Sequence, residues 1–121
     1  CYTFCMCPGG TVIGSSSEEN TIVTNGMSNF LRDGKNANSA VLVNVTPSDF
    51  KDSSPLSGID FQKELEEKAF ILAGSNYFAP IQRFQDFVEN KKTTKLGKVT
   101  PSYRPGVTFT NLNEILPRIC V

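Results

Sequence analysis

The stretch Phe4-Cys5-Met6-Cys7-Pro8-Gly9-Gly10 constrains the chain more than any other. Proline fixes φ and removes an amide donor, and a glycine pair admits positive φ and close approach of another backbone. A strand through Tyr2, Thr3 and Phe4 must therefore break at Pro8, and Thr11-Val12-Ile13 resumes it. The turn between them has two uses: a tight reversal, or a backbone surface laid against a ligand.

Three of the four cysteines, Cys1, Cys5 and Cys7, fall in the first seven positions, and the chain has no histidine. A His-based triad, a histidine zinc ligand and a histidine general base are excluded within these residues. Cys5-Met6-Cys7 is C-x-C, not the C-x-x-C of thioredoxin-like motifs. On an extended strand these thiols share one face about 6–7 Å apart, too far for a relaxed disulfide. A four-cysteine zinc site with Cys120 lacks the paired C-x₂₋₄-C knuckles of structural sites. The expectation is no metal, free thiols and a cytoplasmic setting.

At 121 residues the chain reads as a single domain, 1–121. Twelve basic and twelve acidic residues cancel, which argues against a nucleic-acid binder that depends on phosphate contacts. No apolar run approaches the ~20 residues of a membrane helix. The opening without methionine, inside a strand-like run, and the apolar end at Cys120-Val121 suggest a piece of a longer protein.

Thr21-Ile22-Val23-Thr24 reads as a β-branched strand closed by an Asn25-Gly26 turn, so residues 10–25 form a hairpin. A polar loop runs from Met27 to Asn38. Residues 39–46 are nearly continuously apolar and read as a strand buried on both faces. The strongest helix covers Gly58 to Ala73: Phe61, Leu65, Ala69 and Leu72 mark one face, widened by Ile59, Phe70 and Ala73. Glu64 and Lys68 pair across one turn, and Gly74 suits the C′ position. Pro80 opens a second helix to about Glu89, with Ile81, Phe84, Phe87 and Val88 inward. Val107-Thr108-Phe109 reads as an edge strand, and Asn111 with Glu114 as a capping box for a short helix, Leu112 to Leu116. The fold class is α+β: a small, mainly antiparallel sheet with two main helices packed on one side.

No nucleotide fingerprint occurs, neither G-x-G-x-x-G nor a P-loop. Two stretches carry candidate chemistry. One is the Cys7-Pro8-Gly9-Gly10 turn. The other is the loop with Asn25, Ser28, Arg32, Asn36 and Asn38, which offers amides, a hydroxyl and a guanidinium between strands. A polar or anionic ligand fits that composition; so does a solvated loop.

The same residues carry a resemblance. FCMCPGG at 4–10, NGMS at 25–28, RD at 32–33, ANSA at 37–40 and PLSGIDFQ at 55–62 stand in one order along the chain, with APIQR at 79–83, TKLG at 94–97 and YRPG at 103–106. This series resembles the middle of the bacterial FAD-dependent dehydrogenases, the NAD(FAD)-utilizing dehydrogenase family. The resemblance implies an inserted, substrate-facing domain of an FAD-dependent oxidoreductase, inactive alone. Its partner would be the FAD-binding domain of the same parent chain, with no nucleic acid or membrane involved. It implies that Cys5, Cys7, Pro8, Gly9 and Gly10 lie near the flavin in the parent, and that Asn25, Ser28, Arg32, Asn36 and Asn38 face the substrate. FAD belongs to the parent, because the pyrophosphate-binding βαβ unit is missing from this chain. The rivals are a non-catalytic interaction or regulatory module, and a thiol-redox or metal domain built on Cys1, Cys5, Cys7 and Cys120.

Overall fold

A computed structural model describes residues 7–39 and 43–117. The α+β class holds, with the strands divided between two two-stranded ribbons. Strand β1 (Thr11–Gly14) pairs antiparallel with β2 (Thr24–Met27), Thr11 opposite Met27 and Gly14 opposite Thr24. The pairing runs one step further through Ser15 N to Val23 O, 2.8 Å. The hairpin is therefore present and reverses in the polar connection between its strands, but the second strand is displaced from 21–24 to Thr24–Met27. Asn20 takes positive φ in that connection, and the Thr21 hydroxyl donates to Glu18 O. Asn25-Gly26 sits inside β2 instead of closing a turn. Gly26 is needed for space: a Cβ there would lie 2.6 Å from Asn38 Nδ2.

Helix α1 (Ser57–Leu72) follows the predicted span closely. Ser54 organises its start, its carbonyl accepting from both the amide and the hydroxyl of Ser57. At the other end Gly74 takes φ +105, Gly74 N donates to Ile71 O, and Ser75 N donates to Phe70 O. These two bonds are a Schellman cap, which satisfies carbonyls the helix would otherwise leave open. The inner face buries Phe70 and Ala73, and the Phe70 ring meets Tyr77 edge-on at 4.9 Å. Ile59, expected on that face, is instead 62% exposed. It lies in the first turn, where Phe61 turns towards Phe50, 5.7 Å away.

Strand β3 (Ala79–Ile81) runs parallel to β4 (Val107–Phe109). This corrects the helix expected to start at Pro80. Pro80 lies in β3 opposite Thr108, a place a proline tolerates only where no ladder amide is required. Helix α2 is only Phe84–Val88. Its Phe84 and Val88 were expected inward but are 81% and 65% exposed. They do share a face; that face points away from the body. The segment is anchored through polar atoms instead: Thr93 Oγ1 accepts from Arg83 N and donates to Asp86 Oδ2 at 2.7 Å. The Asn111 capping signal yields a 3-10 turn, Leu112–Glu114, in place of a helix to Leu116, with Asn111 Oδ1 accepting from Asn113 N. Of the expected strand at 39–46, residues 40–42 lie outside the described residues, and 43–46 form no strand.

The core sits where the hairpin, α1 and the parallel ribbon meet. Ile22, Phe70, Ala73, Ala79, Tyr103 and Ile115 are buried there. Ile22 N donates to Glu66 O on α1, and Thr108 Oγ1 donates to Ala73 O at the end of α1. Among the described residues no helix is long and apolar enough to cross a membrane.

The outer face of α1 carries the expected Glu64–Lys68 pair at 2.8 Å, joined by Lys51 at 2.6 Å. Hydrogen bonds from Lys51, then Lys68, hold the Glu64 carboxyl down to about 2, from an ordinary 4.5. A carboxyl depressed by folding stabilises above its unfolded value, and that contribution disappears as pH falls through the folded value. The expected result is that Glu64→Gln flattens the acid limb of stability between pH 4.5 and about 2. Thermal midpoints across that window check it, and coincident limbs would refute it. Because the pairs are exposed, salt should shrink the difference.

Candidate functional site

The two candidate stretches lie against each other. The turn through Cys7, Pro8, Gly9 and Gly10 is gripped by the loop from Gly26 to Asn38. Gly10 N donates to Asn36 O at 2.5 Å, and Asn36 N donates back to Gly10 O at 3.1 Å. Gly34 N reaches Gly9 O at 3.0 Å, and Asn38 N reaches Cys7 O at 3.3 Å. Side chains tighten the grip: Cys7 N donates to Asn38 Oδ1, the Cys7 thiol to Gly26 O, and Ser28 Oγ to Pro8 O at 3.0 Å. The arrangement is a short irregular ladder continuing the β1–β2 ribbon, marked by the Gly10–Asn36 bridge.

The glycines explain why two backbones come this close. Gly9 has φ +60, and a Cβ on it would sit 1.8 Å from Arg32 O. A Cβ on Gly10 would sit 2.0 Å from Met27 O. The close backbone approach expected of Pro8-Gly9-Gly10 is thus made to the chain's own loop. Arg32 also takes positive φ, 52°, an uncommon state for a residue with a side chain.

A second connection secures the loop from the far end of the sequence. Asn36 Oδ1 accepts from Ser102 N at 3.0 Å and from the Ser102 hydroxyl, while Asn36 Nδ2 donates to Thr100 O. Ser102 Oγ in turn accepts from Val12 N at 2.9 Å. Behind this junction lies a small cavity of about 150 Å³ lined by Val12, Thr24, Asn36, Pro80, Ser102 and Tyr103. Burial pushes the Tyr103 phenol above its ordinary value, and its hydroxyl donates to Tyr77 O. Sequence reading did not single out Ser102. Its only signal was the place beside Pro101 in an irregular stretch.

The candidate residues therefore separate by role. Asn36, Asn38 and Ser28 hold the clasp. Asn25 Oδ1 accepts from the neighbouring Gly26 N. Arg32 is exposed, and its guanidinium makes no ion pair among the described residues. Pro8 is exposed, Cys7 and Gly9 are half-buried, and Gly10 is buried. Cys5 lies outside the described residues, as do Cys1 and Cys120; Cys7 is a free thiol. Among the described residues no group of three or more Cys, Asp or Glu is placed to hold a metal.

The site and fold together define a small α+β domain whose exposed polar loop is fixed by an internal glycine clasp. Residues 1–121 match the model of a family described as FAD-dependent protein, C-terminal domain-like, and the chain belongs to that family. A protein of Clostridium beijerinckii (strain ATCC 51743 / NCIMB 8052), described as an uncharacterized protein, is 54% identical over 116 residues. The match covers 96% of this chain and 22% of that protein, so the chain spans about a fifth of its relative's length.

FAD, which the family implies, needs amide donors at its pyrophosphate and a flat contact at its ring. The amides of Cys7 and Gly10 are already bonded inside the clasp, and Met27 O and Arg32 O fill the space over the glycines. The turn does not fit a pyrophosphate.

Proposed function

We propose that this chain is the substrate-facing domain of an FAD-dependent oxidoreductase, a dehydrogenase in the parent protein, and that it is inactive alone. The domain is inserted beside an FAD-binding part of the same polypeptide, which holds the cofactor. The observation that carries this reading is the clasp, which joins the Pro8 turn and the Asn25–Asn38 loop into one surface. One edge of that surface, Pro8 with Cys7 and Gly9, packs near the flavin. The other, Arg32 with Asn25, meets a polar or anionic substrate, for which a guanidinium offers paired donors, while Ser28 stays in the clasp. Asn36 and Asn38 keep the two edges in register. Bound FAD supplies the electron-transfer chemistry; this domain supplies orientation and exclusion of water. The free Cys7 thiol suits a reducing cytoplasm.

The test compares the full-length protein with residues 1–121, purified identically with added FAD. The full-length protein is expected to retain flavin absorbance and the fragment to be colourless. A full-length protein that never retains flavin defeats the proposal.

A further inference from the structure

The loop that grips the glycines also carries an apolar tip. Arg32 N donates to Asn29 O at 3.0 Å, which makes Asn29 to Arg32 a turn with Phe30 and Leu31 at its centre. Central turn positions favour glycine, proline, asparagine and aspartate, for reasons of backbone conformation. A phenylalanine and a leucine serve no such need. Here Phe30 is 97% exposed, Leu31 75% and Met27, at the end of β2, 50%. The tip is stiff, because Ser28 Oγ and Gly34 N fasten both its flanks to the Pro8-Gly9 turn. A loop whose flanks are already fastened has less backbone freedom to lose on docking.

We propose that Met27, Phe30 and Leu31 form a docking knob that seats this domain on the FAD-binding part of the same polypeptide. The inference rests on the functional reading above and names the surface through which that reading operates. Two observations select this occupant. First, the Clostridium relative carries more than three quarters of its length outside the matched segment, so a large body is covalently attached to a domain of this kind. Second, the knob is small. An aromatic side chain buries about 150–250 Å², so three side chains fall well short of the roughly 1,200–2,000 Å² of a stable interface between separate molecules. A tethered partner has an effective concentration near the millimolar range, where a small apolar contact suffices. Docking through the knob also brings Pro8 against the flavin-binding part, since Ser28 and Arg32 touch Pro8 and Gly9 from either side of the tip.

The test places a photoreactive phenylalanine analogue at position 30 of the full-length protein and maps the adduct by mass spectrometry. An intramolecular adduct on the FAD-binding part is the expected result. In the same protein, Phe30→Asp with Leu31→Asp should speed proteolysis between the two parts roughly tenfold or more, because cleavage follows the open population. A flavin-bound protein whose adducts fall on a second copy, on another protein or nowhere overturns the docking surface while leaving the functional reading intact. A protein that never holds flavin overturns both.

Discussion

Gly10→Ala is expected to lower the thermal midpoint of the domain by roughly 10 °C or more. Gly10 is buried, and the added methyl would lie 2.0 Å from Met27 O and 2.9 Å from the Ser28 hydroxyl. The nearest obstacle is backbone, so no rotamer change relieves it. Either β1 and β2 move apart or the loop lets go of the turn. Overpacking of this kind costs about 1–3 kcal/mol and more where backbone must shift. Gly9→Ala should be as severe for two reasons: a Cβ 1.8 Å from Arg32 O, and a left-handed backbone at φ +60. That conformation alone costs a residue with a side chain about 1–2 kcal/mol. Gly97→Ala is the control, because nothing lies within 4 Å of its Cβ position. Melting curves of the three variants decide the matter. Equal midpoints for Gly10→Ala and Gly97→Ala would mean that the clasp does not exist as described.

The same residues show what a sequence discloses and what it hides. Helix α1 was legible because its signals are local: the Phe61, Leu65, Ala69, Leu72 spacing sets the face, and Gly74 sets the end. Strand β4 was legible from Val107-Thr108-Phe109 alone. Its partner was not. Pro80 suits both a helix start and an edge strand, and the choice is made by residues 107–109, far along the chain. Asn25-Gly26 misled for a related reason. The pair has turn chemistry, yet its glycine is explained by the Asn38 side chain packed over it. Both polar stretches of the candidate site were legible from composition. That they touch was not, because the Gly10–Asn36 bridge leaves no local mark.

The fold leans on polar junctions because its apolar core is modest. Thr21, Thr93 and Thr110 are buried beside the hydrophobic residues, each with its hydroxyl bonded to backbone or carboxylate. Meanwhile Phe30, Phe84, Val88 and Ile71 remain exposed. A hydrogen bond contributes only about 0.5–1.5 kcal/mol when made, but a buried partner left without one costs more. The junctions with several dependants are therefore the sensitive points, and Asn36 is one of them.

Asn36→Ala is expected to destabilise the domain by about 2–3 kcal/mol, second only to the glycine substitutions. The change removes the acceptor of Ser102 N and of the Ser102 hydroxyl, and the donor to Thr100 O. Ser102 Oγ still receives Val12 N, but nothing then orients it. Alanine keeps the backbone bridge to Gly10, so the loss isolates the side chain's part in joining residues 7–38 to residues 100–102. Asn36→Asp is the informative companion. It retains an acceptor for Ser102 but places negative charge against Thr100 O, and should fall between wild type and alanine. Ser102→Ala cuts the same junction from the other side. The two alanine changes should be non-additive by on the order of 1 kcal/mol, since each removes the other's partner. Denaturant melts of the two single variants and the double variant measure this coupling. Strict additivity would mean that the Asn36–Ser102 side-chain contact does not join the two ends of the chain.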